Sequence, residues 1–486
     1  MIPFVFSLLI PITIGLSWVY LFWSDHRLLS FDFLLKASLG VGFGLGISSS
    51  LYFLELFLGW SSRSKTIGVE TVLLLVLVGI LCYRSCMGRS DVQVPKQGSE
   101  PSLRGAFRRL LFLVLFLELI VDGVAFLVMI LKYPHGGWDA WSIWNMRARF
   151  IYRAGIYWRD AFSPLIGWSH PDYPPLVPTI IARCWRYIAH ETVAVPMAVA
   201  MLFTFATVGL ICSSLSKLRS SSQGLLAGIV LLGTPFFVKL GAVQYADVPL
   251  AFFVLATIVL LCLQDQLSES HQSFNYMAGM AAGFSVCTKN EGLIFVLAIL
   301  IARTIVLIFG KGWKPFLSQM LFFLGGLIPL ALLLIYFKIQ LAPPNDLLSS
   351  LKARSAATSL LEASEYVQTI KAFAVRMINF GEWVIPFLPI LVLYLIGLGV
   401  HVEGREKPSI VTVVIALGLT GAGYFFAYII TPYNLKWHQF QSLNRLLLQL
   451  WPSFVFLFFL VARCPEKALN AKEGLEKTPD PRGIVH

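Results

Sequence analysis

Runs of about twenty apolar residues recur from one end of the chain to the other, and each is long enough to cross the roughly 30 Å hydrocarbon core of a bilayer. They lie near 3–23, 32–59, 67–87, 110–131, 193–215, 224–241, 245–264, 276–289, 291–309, 316–339, 383–400, 409–430 and 446–462. Only helices and closed barrels satisfy their backbone in lipid, so the pattern predicts an all-α polytopic membrane protein with about thirteen transmembrane helices. Read as one helix, 276–309 would be roughly 51 Å long. Lys289, Asn290 and Glu291 in its middle therefore predict a hairpin. Of the 486 residues, 57% are apolar and 13% charged, against about 25% charged in soluble chains, which excludes a soluble enzyme. The net charge of +12 then reads as topology and anionic lipid rather than nucleic acid.

Seven cysteines are present; the nearest pair, Cys82 and Cys86, has neither a matching pair nor a nearby His, so no zinc or disulfide framework is expected. The first 23 residues lack a basic n-region and a small-residue cleavage site, which favours a retained span over a signal peptide. Basic residues in the short connections orient the chain. Arg84, Arg89, Lys96, Arg104, Arg108 and Arg109 share parity with Lys217 and Arg219, with Lys311 and Lys314, and with Arg405 and Lys407. Those connections are expected in the cytoplasm, with the N-terminus out and the C-terminus in. Two long loops, about 132–191 and 340–382, then face outward with 241–248, 288–292 and 431–445. The expected organisation is three N-terminal spans and a basic linker over 1–109, a catalytic membrane domain over 110–462, and a disordered cytoplasmic tail over 463–486. No fixed-period repeat or matching pair of broken helices is visible.

Polar residues gather in the outward connections. In the first, Trp141, Trp144, Ala148 and Ile151 form one stripe of an interfacial helix, with Asn145, Arg149 and Arg153 on another face. Asp139 at its start is either a helix cap or a catalytic carboxylate. His170-Pro171-Asp172-Tyr173-Pro174-Pro175 forces a turn before a short second interfacial helix over 176–189. Arg183 and Arg186 on that helix would reach lipid phosphates or snorkel, snorkelling being the default. Asp247 sits between two spans, as a helix cap or as the mark of a polar cavity. Lys289 and Glu291 neutralise each other, or Lys289 holds a phosphate as a point charge. His438, Gln441 and Arg445 share one face of the last helix, and Arg445 can hold a phosphate through two parallel hydrogen bonds.

Trp138-Asp139-Ala140-Trp141 through Arg149, His170-Pro171-Asp172-Tyr173-Pro174-Pro175, Tyr245-Ala246-Asp247, Thr288-Lys289-Asn290-Glu291-Gly292, and Trp437-His438 with Ser442-Leu443-Asn444-Arg445 together resemble the integral-membrane GT-C glycosyltransferases. The resemblance is nearest to the rhizobial-type lipopolysaccharide glycosyltransferases, with protein O-mannosyltransferases and aminoarabinose transferases further off. It covers about 110–462, and the first three spans fall outside it.

The resemblance implies a polyprenyl-phosphate sugar donor, a glycan or lipid acceptor, and inverting transfer at the outer face of a bacterial inner membrane. It implies Asp139 as the base and Lys289, Arg445 and His438 as ligands of the donor phosphate. Asp247, Glu291, His170, Asp172, Tyr173, Trp138, Trp141 and Gln441 would orient them or bind sugar. No cofactor is certain, and the divalent metal that some relatives use has no evident ligand set here.

Two other classes stay open. A polysaccharide polymerase or ligase would concentrate arginines in a late outer loop, whereas 340–382 balances Lys352, Arg354, Lys371 and Arg376 with four acids. A transporter or flippase would carry charges near mid-membrane, whereas the charges here are expected at one surface.

Overall fold

A computed structural model describes residues 1–23, 30–87, 102–267, 272–345, 362–383 and 386–465. Residues 88–101 of the basic linker, 346–361 of the second long loop and the tail from 466 lie outside the described residues. The first helices are α1 (Ile2–Phe22), α2 (Ser30–Phe57), α3 (Arg63–Met87) and α4 (Ser102–Lys132). A loop with two short helices follows, α5 (Asn145–Arg153) and α6 (Leu176–Ile188). Then come α7 (Ala194–Leu218), α8 (Ser221–Leu232), α9 (Pro235–Ala242), α10 (Asp247–Leu267), α11 (Ser273–Thr288), α12 (Glu291–Lys311) and α13 (Trp313–Gln340). The last are α14 (Ala363–Ile378), α15 (Phe387–Leu398), α16 (Lys407–Ile429) and α17 (Leu435–Val461). An isolated bridge between Val400 and Ala462 is the extended pairing among the described residues.

Ten of these helices are long and apolar enough to cross a bilayer, or eleven if the bent pair α8 and α9 counts as one span. By length and composition, ten or eleven of the expected thirteen are found among the described residues. Three apolar runs fall short for separate reasons. Pro235 has no N–H and forces Thr234 toward extended backbone (φ −89, ψ 98), so 221–242 breaks by 64°. α11 has 16 residues and α15 only 12, about 24 Å and 18 Å at 1.5 Å each. The hairpin at 289–291 forms where expected, between α11 and α12.

α10 forms the centre of the bundle. Its residues from Asp247 to Leu263 are all buried, and it packs against α7, α11 and α17. The three N-terminal helices join this core. α2 lies on α6 and α7, and α1 crosses α2 where a Cβ on Gly44 would come within 1.9 Å of the Pro11 carbonyl oxygen; only hydrogen fits that crossing.

Arg183 of α6 is buried rather than snorkelling. It forms a two-pronged ion pair with Glu70 of α3 and donates to the Ser7 carbonyl of α1 at 2.6 Å, while the Tyr187 hydroxyl also bonds Glu70. A guanidinium that can reach a buried carboxylate has no reason to climb to the lipid surface.

A second expectation also needs correcting, because buried charges gather at both ends of the bundle. Asp265 at the foot of α10 accepts from Arg303 at 2.7 and 2.8 Å, from Lys311 at 3.3 Å and from Ser409 at 3.1 Å. Arg219 pairs with Glu406 at 2.5 Å and Lys217 with Asp32 at 2.8 Å. Asp247 and Asp265, eighteen residues apart in α10, are separated by about 27 Å of helix, close to the thickness of a bilayer core.

Candidate active site

After α4, Gly136 (φ +77) turns the chain, and the Gly137 amide bonds the Val243 carbonyl at 3.0 Å. This holds the 133–139 segment against the link between α9 and α10. A π turn, Ala140–Trp144, then precedes α5. The wider turn rotates Trp141 out of the expected apolar stripe: Trp144, Ala148 and Ile151 are fully buried, while Trp141 is 41% exposed. Asp139 lies at the start of this turn and makes no side-chain capping bond.

The Asp139 carboxylate instead accepts from Arg445 Nη2 at 2.5 Å. Arg445, nearly three turns into α17, also donates to Asp247 through Nη2 at 3.0 Å and Nε at 3.2 Å, and lies 4.7 Å over the Tyr245 ring. Asp247 accepts on its other oxygen from Lys289 Nζ at 2.9 Å and Gln449 Nε2 at 2.6 Å. Lys289 completes the chain of charges with Glu291 at 2.9 Å. Five ionisable side chains from four separate stretches of sequence thus form one continuous network at one end of the bundle. Asp247 is wholly enclosed, and Asp139 is its most accessible carboxylate, with 16% of its side chain exposed.

Asp172 anchors a second layer. Its carboxylate accepts from Asn290 at 2.7 Å and Asn345 at 2.6 Å, while Lys338 Nζ donates to the Asp172 carbonyl at 2.6 Å and to Asn290 at 2.7 Å. Arg147, buried under the proline turn, donates to the carbonyls of Ser169, His170 and Tyr173 at 2.9, 2.8 and 3.3 Å. Burial lowers its pKa to about 10, opposed by Asp172, which still leaves a cation at neutral pH. The Tyr173 ring lies 5.5 Å below Lys289; burial and the nearby Glu291 and Asp172 push its phenol well up, so it stays a donor.

Other expected residues lie outside the ion network. His438 bonds Thr431 at 2.8 Å and packs on the Tyr428 ring, about 10 Å along α17 from Arg445 at seven residues' rise. Gln441 is exposed. Trp138 is 62% exposed and meets Trp141 edge to face at 4.7 Å. His170 takes left-handed backbone (φ 48) in the turn, with its ring near Tyr173.

Gln449 was missing from the sequence-derived set. It bridges Asp247 to the Tyr424 hydroxyl, which donates to it at 2.8 Å. Its signal was available: a lone amide in an apolar run, four residues after Arg445 and so on the same helix face.

Among the described residues no three His, Cys, Asp or Glu side chains group as a metal-binding set. Asp139, Asp247 and Glu291 are each held by a cation, so that donor set does not fit a divalent metal.

Beside the network, α14, α15, α16 and α17 enclose an apolar cavity of about 510 Å³. Its lining includes Phe373, Phe425, Leu447, Leu450 and Trp451, and it begins within a turn of Arg445.

Residues 170–337 match the family model described as dolichyl-phosphate-mannose-protein mannosyltransferase. That segment runs from the proline turn to the end of α13 and contains Asp172, Asp247, Lys289 and Glu291, but neither Asp139 nor Arg445. No curated protein and no solved structure matches the chain. By the matched segment, about a third of its length, the chain is similar to the dolichyl-phosphate-mannose-protein mannosyltransferases, a family of membrane glycosyltransferases of the GT-C class.

Proposed function

We propose that the enzyme moves a sugar from a polyprenyl-phosphate donor to an acceptor hydroxyl with inversion, at the extracytoplasmic face of a bacterial inner membrane, from a catalytic domain spanning 110–462. The observation that carries this reading is the network from Asp139 through Arg445 and Asp247 to Lys289 and Glu291, opening beside an apolar cavity on the same helix. The donor phosphate meets Arg445 and Lys289, and the first isoprenoid units enter the cavity along α17.

Charge balance couples the two halves of the reaction. Three carboxylates, Asp139, Asp247 and Glu291, face two cations, Arg445 and Lys289. The acceptor oxygen attacks the anomeric carbon and its proton passes to Asp139. The bond from that carbon to the phosphate oxygen breaks, and its electron pair leaves with the polyprenyl phosphate. Neutral Asp139 no longer competes for Arg445, so the guanidinium turns to the phosphate as its charge grows. An interaction that strengthens only then lowers the barrier differentially. Asp247, enclosed and held by three donors, stays an anion and fixes both cations in place.

The test is Asp139→Asn in purified enzyme with a polyprenyl-phosphate sugar. Because the amide imitates the neutral acid, donor binding should be retained or strengthened several-fold while turnover falls at least a thousandfold, about 4 kcal/mol of barrier. Normal turnover by this variant would refute the base assignment. Arg445→Ala should weaken donor use more than acceptor use.

A further inference from the structure

A second cleft is lined in part by His135 and Trp141, on either side of Asp139 in sequence, and the mechanism above does not use it. It has a volume of about 780 Å³ and is lined by His135, Trp141, Arg149, Arg153, Trp185 and Glu191 among others. Four segments build it: the turn after α4, the π turn with α5, the end of α6, and the link to α7. Arg153 grips Glu191 with both prongs, at 2.5 and 2.7 Å. Arg149 reaches the same carboxylate only at 3.6 Å, sets one nitrogen 3.2 Å from His135 Nδ1 and lies near the Trp185 ring. Two guanidinium groups thus share a single carboxylate, leaving one positive charge over in a cleft whose walls are indoles. Trp141 lines this cleft two residues after Asp139, so the same π turn supplies one wall of the cleft and the candidate base.

We propose that this cleft is the acceptor site, and that the acceptor is a saccharide with an anionic group, a phosphate or a uronic-acid carboxylate. Arg149 and Arg153 bind the anion, since a guanidinium fork matches either oxyanion, and Trp141 stacks on a sugar ring. This assignment rests on the glycosyltransferase reading but not on the donor chemistry.

The full-length protein in nanodiscs is titrated with glucose 6-phosphate, glucuronate and glucose, with binding followed by saturation-transfer NMR. At least one anionic sugar should bind ten-fold or more tightly than glucose. The Arg149→Gln/Arg153→Gln double variant should bring it to the level of glucose, whose own binding serves as the control for folding. Trp141→Ala should weaken all three, and 0.5 M salt should weaken the anionic sugars alone in the unaltered protein. A preference for glucose 6-phosphate alone assigns a phosphate-bearing acceptor, and a preference for glucuronate alone a uronic acid. Equal binding of the three sugars by the unaltered protein, or an anion preference that survives the double variant or high salt, overturns the proposal. These affinities are read without any donor present, so a failure here and a failure of the donor reading are separable.

Discussion

Arg445 is held from two sides by Asp139 and Asp247, and the geometry of that double contact decides what can replace it. A lysine has one point charge in place of a planar fork, so Arg445→Lys should keep the cluster neutral enough to fold but lose simultaneous contact with both acids. Turnover should drop at least ten-fold with little change in melting temperature; unchanged turnover would show that charge alone suffices. Gln449 carries no charge, yet Gln449→Leu leaves an oxygen of Asp247 and the Tyr424 hydroxyl short of a buried partner. Such losses cost about 1–3 kcal/mol. Thermal unfolding should show this as a lowered midpoint, with turnover reduced as Asp247 loosens its hold on Arg445.

At the scale of elements, two junctions set where the acids of the candidate site stand. Gly136 combines φ +77 with close neighbours: a Cβ there would meet that of Ala140 at 2.4 Å and the Val243 carbonyl oxygen at 2.7 Å. Gly136→Ala should therefore shift the start of the π turn and move Asp139 away from Arg445, cutting turnover more than donor affinity. The other junction ties α3 to α6 through Glu70 and Arg183. Removing one partner strands a buried charge, which typically costs about 3–5 kcal/mol, whereas replacing both with apolar residues is often neutral. Glu70→Ala should thus lower the unfolding midpoint clearly, and Glu70→Leu with Arg183→Met should recover most of it. If the double variant is no better than the single one, the pair contributes net stability of its own. This contact also gives the three N-terminal helices a structural role, since α6 bears the proline turn on its leading end.

For the molecule as a whole, the two charged ends of α10 and the apolar cavity along α17 describe a bundle that keeps its polar chemistry at the rims. Glu118 and Asp122, in the middle of the span α4, are exceptions among the described residues. The cavity supplies a molecule-scale prediction, because Gly421 lines it and a Cβ at that position would meet nothing within 4 Å. Gly421→Phe should fold normally and fill the space proposed for the isoprenoid. The donor KM should rise ten-fold or more with the acceptor KM unchanged, and an unchanged donor KM would place the lipid tail elsewhere.

Much of this protein follows from local chemistry that can be read along the chain. Apolar run length specifies membrane helices, the prolines of 171–175 specify a turn followed by a helix at 176, and Lys289-Asn290-Glu291 specifies a hairpin, because each depends on nearby backbone and solvent alone. The acids and cations of the network were visible too, as charges standing at the ends of spans where water and lipid meet. Tertiary packing decided the rest. It joined Arg445 to both Asp139 and Asp247, recruited Gln449, buried Arg183 against Glu70 and turned Trp141 outward. These outcomes depend on which distant partner satisfies a polar group once water is gone, and that partner is chosen by the packing of helices far apart in sequence.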